Sequence, residues 1–264
     1  MKKFLYRFFI ELTNQAFLSK WLENFTKSSY SRHFIPTFVK TYKINETEML
    51  HPITEYGSLH ELFTRQLNMV NRPVAIGDEI VVSPVDAVVE EFGSIDADQT
   101  FIAKGKSYSI SEMLHRDEVK KKYINGIFLI LYLSPSHYHR IHAPISGDII
   151  GQWSLGTSSY PVNNWGITYG KSPFTKNYRV ISEVVKDDSH LAIVKVGAMF
   201  VNGIELTHEG DKIKKGEEIG FFEFGSTIIL LFEKDSFTLN PSIHKKMDIL
   251  VGQPLGTLKK RTMH

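Results

Sequence analysis

Ile127-Phe-Leu-Ile-Leu-Tyr-Leu133, followed by Ser-Pro-Ser-His137-Tyr-His139-Arg-Ile-His142, is the stretch on which the fold turns. An uninterrupted apolar run of this length, closed by a Ser-Pro step, has the span of a strand buried on both faces. Such a strand needs partners, and the sequence around it supplies them. Val81-Val82 and Val88-Val89 flank Ser83-Pro-Val-Asp86, Leu191 to Val196 alternates as a further strand, and Ile228 to Phe232 forms another apolar run. Glycines at 147, 151, 197, 203, 210, 216, 220 and 225 provide turns between them. From Leu59 onward the chain therefore reads as β-rich.

The segment His208 to Gly220 places two glycine turns around a short polar strand, in a pattern similar to that of biotinyl and lipoyl carrier folds. Together these readings predict an α+β protein. N-terminal amphipathic helices precede a β-rich barrel or sandwich body of the barrel-sandwich-hybrid type. The boundary falls between a helical segment, 1–58, and a β-rich domain, 59–264. Leu59 to Leu67 is a helix carrying Phe63 and Arg65, and Arg72-Pro73 is a turn.

The N-terminal end is built differently from the rest. Met1 to Lys43 holds eight basic residues against two acidic ones, a charge of +6, and 11 of the 32 aromatic residues. Leu5, Phe8, Phe9, Leu12 and Ala16 share a helical face, which Leu18, Trp21, Leu22 and Phe25 continue. Arg7, Glu11, Lys20 and Glu23 interrupt any apolar run long enough to span a bilayer, and no clean secretory signal is present, so a cytoplasmic chain is expected. Basic aromatic helices of this kind suit either the surface of an anionic membrane or a protein core.

Composition sets further bounds. With 264 residues and 42% apolar content the chain can bury a core, and its total charge of +2 gives no global field for nucleic acid. The absence of cysteine excludes disulfides, thiolate nucleophiles and cysteine-ligated metals. Any protein nucleophile is oxygen or nitrogen.

Three places carry candidate chemistry: Asp86, the cluster His137 to His142, and Gly225-Ser226-Thr227 at the mouth of the last apolar run. Each alone has an ordinary structural reading as a turn residue, a core histidine or a strand entry. His137 and His139 alternate on one strand face, which permits a metal site, but no nearby acidic pair completes one. Taken together, Asp86, His142 and Ser226 supply the types of a carboxylate-histidine-serine triad. Gly225 lacks a Cβ, so its carbonyl can approach the Ser226 hydroxyl in a strained turn, a geometry suited to attack on the chain's own peptide bond.

The combination of Ser83-Pro-Val-Asp86, Tyr138-His-Arg-Ile-His142-Ala-Pro144, Phe174 with Asn177 and Arg179, Val196-Gly-Ala198, and Phe224-Gly-Ser-Thr227 resembles bacterial-type phosphatidylserine decarboxylase proenzymes. The likeness runs from about Leu59 to Phe232. It implies autocatalytic cleavage between Gly225 and Ser226, with His142 as base and Asp86 orienting it. The products are a β chain, 1–225, and an α chain, 226–264, the latter opening with a pyruvoyl group made from Ser226. That covalent pyruvate condenses with the serine amine of phosphatidylserine, and His139 assists decarboxylation or protonation to phosphatidylethanolamine. No metal is implied. The expected partners are phosphatidylserine in an anionic membrane and the chain's own two fragments, with a higher oligomer left open. The expected location is peripheral, on the cytoplasmic side of the cell membrane, with the helical segment 1–58 as the membrane-association part, because an enzyme acting on a lipid must approach the interface. Where relatives commonly carry an acidic residue before Tyr-His-Arg, this chain has His137.

Three competing readings remain at this level. A serine hydrolase lacks its Gly-x-Ser-x-Gly elbow here, and a carrier module lacks its exposed modified lysine. A pyruvoyl decarboxylase of a soluble amino acid would carry the same triad and cleavage site.

Overall fold

A computed structural model gives the structure of the chain and describes residues 16–162, 167, 172–198 and 203–259. It begins with helices α1 (Ala16–Lys27), α2 (Ile35–Tyr42) and α3 (Leu59–Phe63). The strands are β1 (Ile80–Val82), β2 (Ala87–Ser94), β3 (Thr100–Ala103), β4 (Lys106–Ser109), β5 (Ile127–Leu133), β6 (Arg140–His142), β7 (Gly147–Leu155) and β8 (Arg179–Lys186). They continue with β9 (Ser189–Gly197), β10 (Ile204–Leu206), β11 (Lys212–Ile213), β12 (Glu218–Phe222), β13 (Ser226–Phe232), β14 (Phe237–Leu239), β15 (Asp248–Ile249) and β16 (Pro254–Leu258).

Eight strands form one antiparallel sheet in the order β11-β7-β8-β9-β13-β5-β2-β15, and the smaller sheets β10-β12-β6 and β1-β16-β14 have three strands each. The α+β reading holds in its sandwich form. The sheets pack face to face, and no closed barrel forms among the described residues.

Both faces of the large sheet are covered. Leu129, Leu131, Ile228 and Leu230 share a core with Ile141, Phe222 and Leu255 of the small sheets. Ile130, Ile229 and Leu231 point the other way, into a second core with Phe101, Tyr108 and Phe174. This explains why β5 and β13 are continuous apolar runs: on a strand with no wet face, alternation has nothing to select for.

The same burial corrects the reading of β9, whose Leu191 to Val196 is buried throughout. Its polar member, Lys195, is fully buried and donates from Nζ to Ser182 Oγ at 2.8 Å, with no ion pair among the described residues. Burial pulls its pKa down to about 7. The unfolded chain therefore holds more protons than the native one above that pH, so this group's destabilisation is full below about pH 7 and fades towards the free lysine pKa of about 10.4. Lys195→Met is expected to stabilise the fold by about 2 kcal/mol at pH 7, with a matching rise in Tm. Thermal melts between pH 6 and 10 should also show a flatter pH dependence, and an unchanged or lower Tm at pH 7 would contradict this account.

Glycine is required at the two turns that bracket β11. Gly210 and Gly216 have φ of +72° and +84°, the left-handed region that side chains disfavour. Helix α3 ends at Phe63, with Thr64 as its cap, and is shorter than the Leu59–Leu67 helix expected.

Of the N-terminal stripe, Leu5, Phe8, Phe9 and Leu12 lie outside the described residues. Within them, α2 and the segment after it bury Ile35, Val39, Ile44 and Met49 against Leu62, Leu67, Tyr138 and Val251. Trp21, Tyr30, Phe34 and Tyr42 remain exposed. No helix among the described residues is long and apolar enough to cross a membrane.

Candidate active site

The sheet register gathers the separated motifs. Ser226 opens β13 and sits opposite Leu133 of β5 on one side and Gly197 of β9 on the other. The Ser134-to-His139 turn, Val196-Gly-Ala198 and Gly225-Ser226 thus meet at one edge of adjacent strands. Asn177 braces this edge, with Nδ2 donating to the Gly197 carbonyl at 2.8 Å and to that of Tyr160 at 2.7 Å. Arg179 donates to the backbone carbonyls of Met113, Asn177 and Glu112. The Phe174–Arg179 match to the family is therefore a scaffold for the site, buried with Phe174 at 0% exposure.

Ser226 is fully buried, and its Oγ lies 3.4 Å from His139 Nδ1. His139 Nε2 is 3.0 Å from the Ser134 carbonyl, which can only accept, so Nε2 bears the hydrogen and Nδ1 offers its lone pair to the Ser226 hydroxyl. Phe63 stacks on the His139 ring at 3.9 Å and on Phe224 at 4.6 Å, making a three-ring layer beside the Gly225-Ser226 turn. Burial, then the charge of Arg65, pushes the His139 pKa well below the ordinary histidine value.

His142 is placed elsewhere in the site. Its Nδ1 donates to the Gly216 carbonyl at 2.8 Å, leaving Nε2 to accept from the Tyr138 hydroxyl at 3.2 Å. Burial lowers its pKa, while the bond to Gly216 and the carboxylates of Glu218 and Asp86 work in the opposite direction. Asp86 is buried and gripped by Arg72, whose Nη2 lies 2.7 Å from Oδ2 and Nε 2.9 Å from Oδ1. The Val251 amide completes its shell at 2.9 Å. The structure thus brings Ser226 to His139, and holds Asp86 and His142 in the same buried region on partners of their own.

Gly225 departs from the strained turn expected of it. It does not adopt the left-handed backbone, and a Cβ built there meets no atom within 4 Å. His137 accepts from the Ser134 amide at 3.0 Å through Nδ1, so it shapes the histidine turn. Arg140 pairs with Glu218 at 2.7 Å.

Three participants escaped the sequence reading: Arg72, which neutralises Asp86; Arg65, whose Nη2 donates to the carbonyls of Ser136 and His137 at 2.9 Å each; and Phe63. The isolated arginines after an apolar helix were the available signal, but an arginine buried beside a carboxylate or carbonyls is indistinguishable from a surface one until the fold is known.

A family model described as phosphatidylserine decarboxylase matches residues 59–257. The phosphatidylserine decarboxylase proenzyme of Anoxybacillus flavithermus is 55% identical over 261 residues, covering 99% of this chain and 98% of its own length. That of Geobacillus sp. (strain WCH70) is 53% identical over 98% of this chain and 100% of its own, and that of Bacillus thuringiensis subsp. konkukian 48% identical over 97% and 98%. The match runs through every segment that meets at Ser226, and on that ground the chain belongs to the phosphatidylserine decarboxylase family.

Proposed function

We propose that the chain decarboxylates phosphatidylserine to phosphatidylethanolamine, using a pyruvoyl group that it makes from Ser226 by cutting itself between Gly225 and Ser226. The observation that carries this reading is the placement of Ser226 Oγ, directly after Gly225 and at the head of a wholly buried strand, against the lone pair of His139. The residues present fit such a group. The Gly225 side is open, and the adjacent Thr227 Oγ1 is a buried hydroxyl with no hydrogen-bond partner among the described residues.

In cleavage, Ser226 Oγ bonds to the Gly225 carbonyl carbon as the peptide nitrogen leaves it, giving an ester. Loss of the Ser226 Cα proton then expels the Gly225 carboxylate. The enamine left at position 226 takes up water and releases ammonia, leaving a keto group with no redox change. The base that receives the serine proton must be tolerable as an imidazolium. His139 is poorly suited, being fully buried beside Arg65 with no carboxylate partner. His142 stands in the fields of Glu218 and Asp86. In this reading Asp86 and His142 serve cleavage, His142 Nε2 exchanging the Tyr138 hydroxyl for that of Ser226.

The pyruvoyl group supplies a carbonyl that accepts the electrons released as carbon dioxide leaves. His139 serves that later step. The substrate carboxylate brings the negative charge its surroundings lack, so Nδ1 gains a proton as substrate binds and delivers it to the carbon that lost carbon dioxide. The two fragments stay together because β13, the first strand of the smaller one, pairs on both edges with β5 and β9 of the larger.

Exposed Trp21, Tyr30 and Phe34 near exposed Lys20 and Arg32 support peripheral attachment to an anionic bilayer. A soluble amino-acid substrate leaves that surface without a use. The test is incubation of the purified chain with phosphatidylserine vesicles, followed by intact mass measurement. Expected are sedimentation with the vesicles that salt weakens, release of carbon dioxide, and two fragments parted at 225/226. An active preparation containing only uncut chain would overturn the pyruvoyl reading.

A further inference from the structure

The residue two places before the scissile bond is tied down from outside the catalytic layer. Glu223 is 8% exposed, and its Oε1 accepts from Lys27 Nζ at 2.7 Å and lies 3.2 Å from His60 Nε2. Lys27 is the last residue of α1 and is also bonded to Glu23 at 2.8 Å. The Glu223 amide donates to the Gly203 carbonyl at 3.1 Å, and a Cβ on Gly203 would stand 1.8 Å from Glu223 Oε2, so the carboxylate lies directly over that glycine. The bond to His60, opposed by burial and reinforced by Lys27, holds the Glu223 carboxyl down to about 2, so it is charged at any working pH.

His60 and Phe63 lie three residues apart on α3, hence on one face, and they engage alternate parts of the same turn: His60 takes Glu223, while Phe63 stacks on Phe224. Downstream, Ser226 is locked in the sheet between Leu133 and Gly197. Only Phe224 and Gly225 lie between these two anchors, and both are half-buried.

We infer that Glu223 is a positioning residue for self-cleavage: anchored by Lys27 of α1 and His60 of α3, it fixes the Phe224-Gly225 turn so that the Gly225 carbonyl is presented to Ser226. This rests on the cleavage reading above. It adds that maturation depends on the docking of α1, so that the membrane-facing end of the chain and the self-cutting turn are mechanically joined. An attack geometry displaced by about 1 Å can lose up to about a hundredfold in rate, which sets the scale of the effect.

The test is the time course of precursor disappearance on gels for full-length chain made by cell-free translation. Glu223→Gln and Lys27→Gln are each expected to slow cleavage about tenfold. The double variant should be no slower than the slower single one, and Lys27→Arg should stay within about twofold of wild type. The melting temperature of each precursor, measured in a Ser226→Ala background, should move by no more than about 3 °C. Lys27 is partly exposed, so its substitution keeps the test sound if Glu223→Gln folds poorly. Wild-type rates in both single variants, multiplicative losses in the double variant, or losses that track a fall in melting temperature would each overturn the inference. Failure of the wild-type chain to cut itself would instead remove the cleavage reading, which separates the two.

Discussion

Ser226→Ala is expected to remain a single 264-residue chain and to have no measurable decarboxylase activity, a loss of at least about 10⁴-fold. In the proposed mechanism the hydroxyl oxygen attacks the Gly225 carbonyl and then, as the ester oxygen, leaves Cβ so that Cα can become the keto carbon, so one deletion removes both functions. The substitution is otherwise mild. Ser226 makes one long side-chain contact, 3.4 Å to His139, and its backbone pairing with Leu133 and Gly197 is untouched. Folding should persist, and thermal melts should show the variant within about 1 kcal/mol of the precursor form. Gel analysis gives the cleavage readout and carbon dioxide release from phosphatidylserine vesicles gives the other. A chain cut at 225/226 with alanine in place would remove Ser226 from the proposed mechanism, and decarboxylation by the uncut variant would remove the pyruvoyl group.

The sequence made the β-rich body legible because β5 and β13 are apolar runs of strand length, and burial on both sheet faces leaves no other place for them. It also made the motif set legible, since Leu133 and Gly197 each close a strand and Ser226 opens one, far apart in sequence. What it did not reveal was which histidine faces Ser226. That depends on a three-residue difference between His139, in the turn after β5, and His142, in β6, and on side-chain directions that periodicity does not fix. The full burial of β9, Lys195 included, was hidden for a related reason. A lysine in an alternating strand implies a wet face, whereas here it crosses a dry layer to Ser182. The anchors Arg65, Arg72 and Glu223 act through long side chains on partners 14 to 196 positions away, and a single sequence does not expose such pairings.

The second large effect separates the two histidines by their chemistry. His142→Ala is expected to accumulate uncut precursor, slowing cleavage at least about a hundredfold. His139→Ala is expected to cut itself and then decarboxylate at least about a hundredfold more slowly. Both rings are buried, so either alanine leaves a space, and His139→Gln and His142→Gln provide the volume-conserving checks. The contact distance alone would assign both steps to His139, because that ring touches Ser226. Charge divides them: an imidazolium at His139 has Arg65 against it and no carboxylate beside it among the described residues, whereas one at His142 has Glu218 and Asp86 in its favour. Asp86→Asn should therefore resemble His142→Ala, with a loss of stability as well, since it strips the buried Arg72 of its main partner. Because burial lowers the His142 pKa, its base form persists below the ordinary histidine value. Wild-type cleavage should thus be flat from about pH 8 to about 6.5 and fall only in more acid solution. Normal cleavage in the His142 variants together with its loss in the His139 variants would reverse the assignment. It would mean that proximity outweighs the cost of charging a wholly buried ring, and that the proton leaves Ser226 through the 3.4 Å contact seen in the fold.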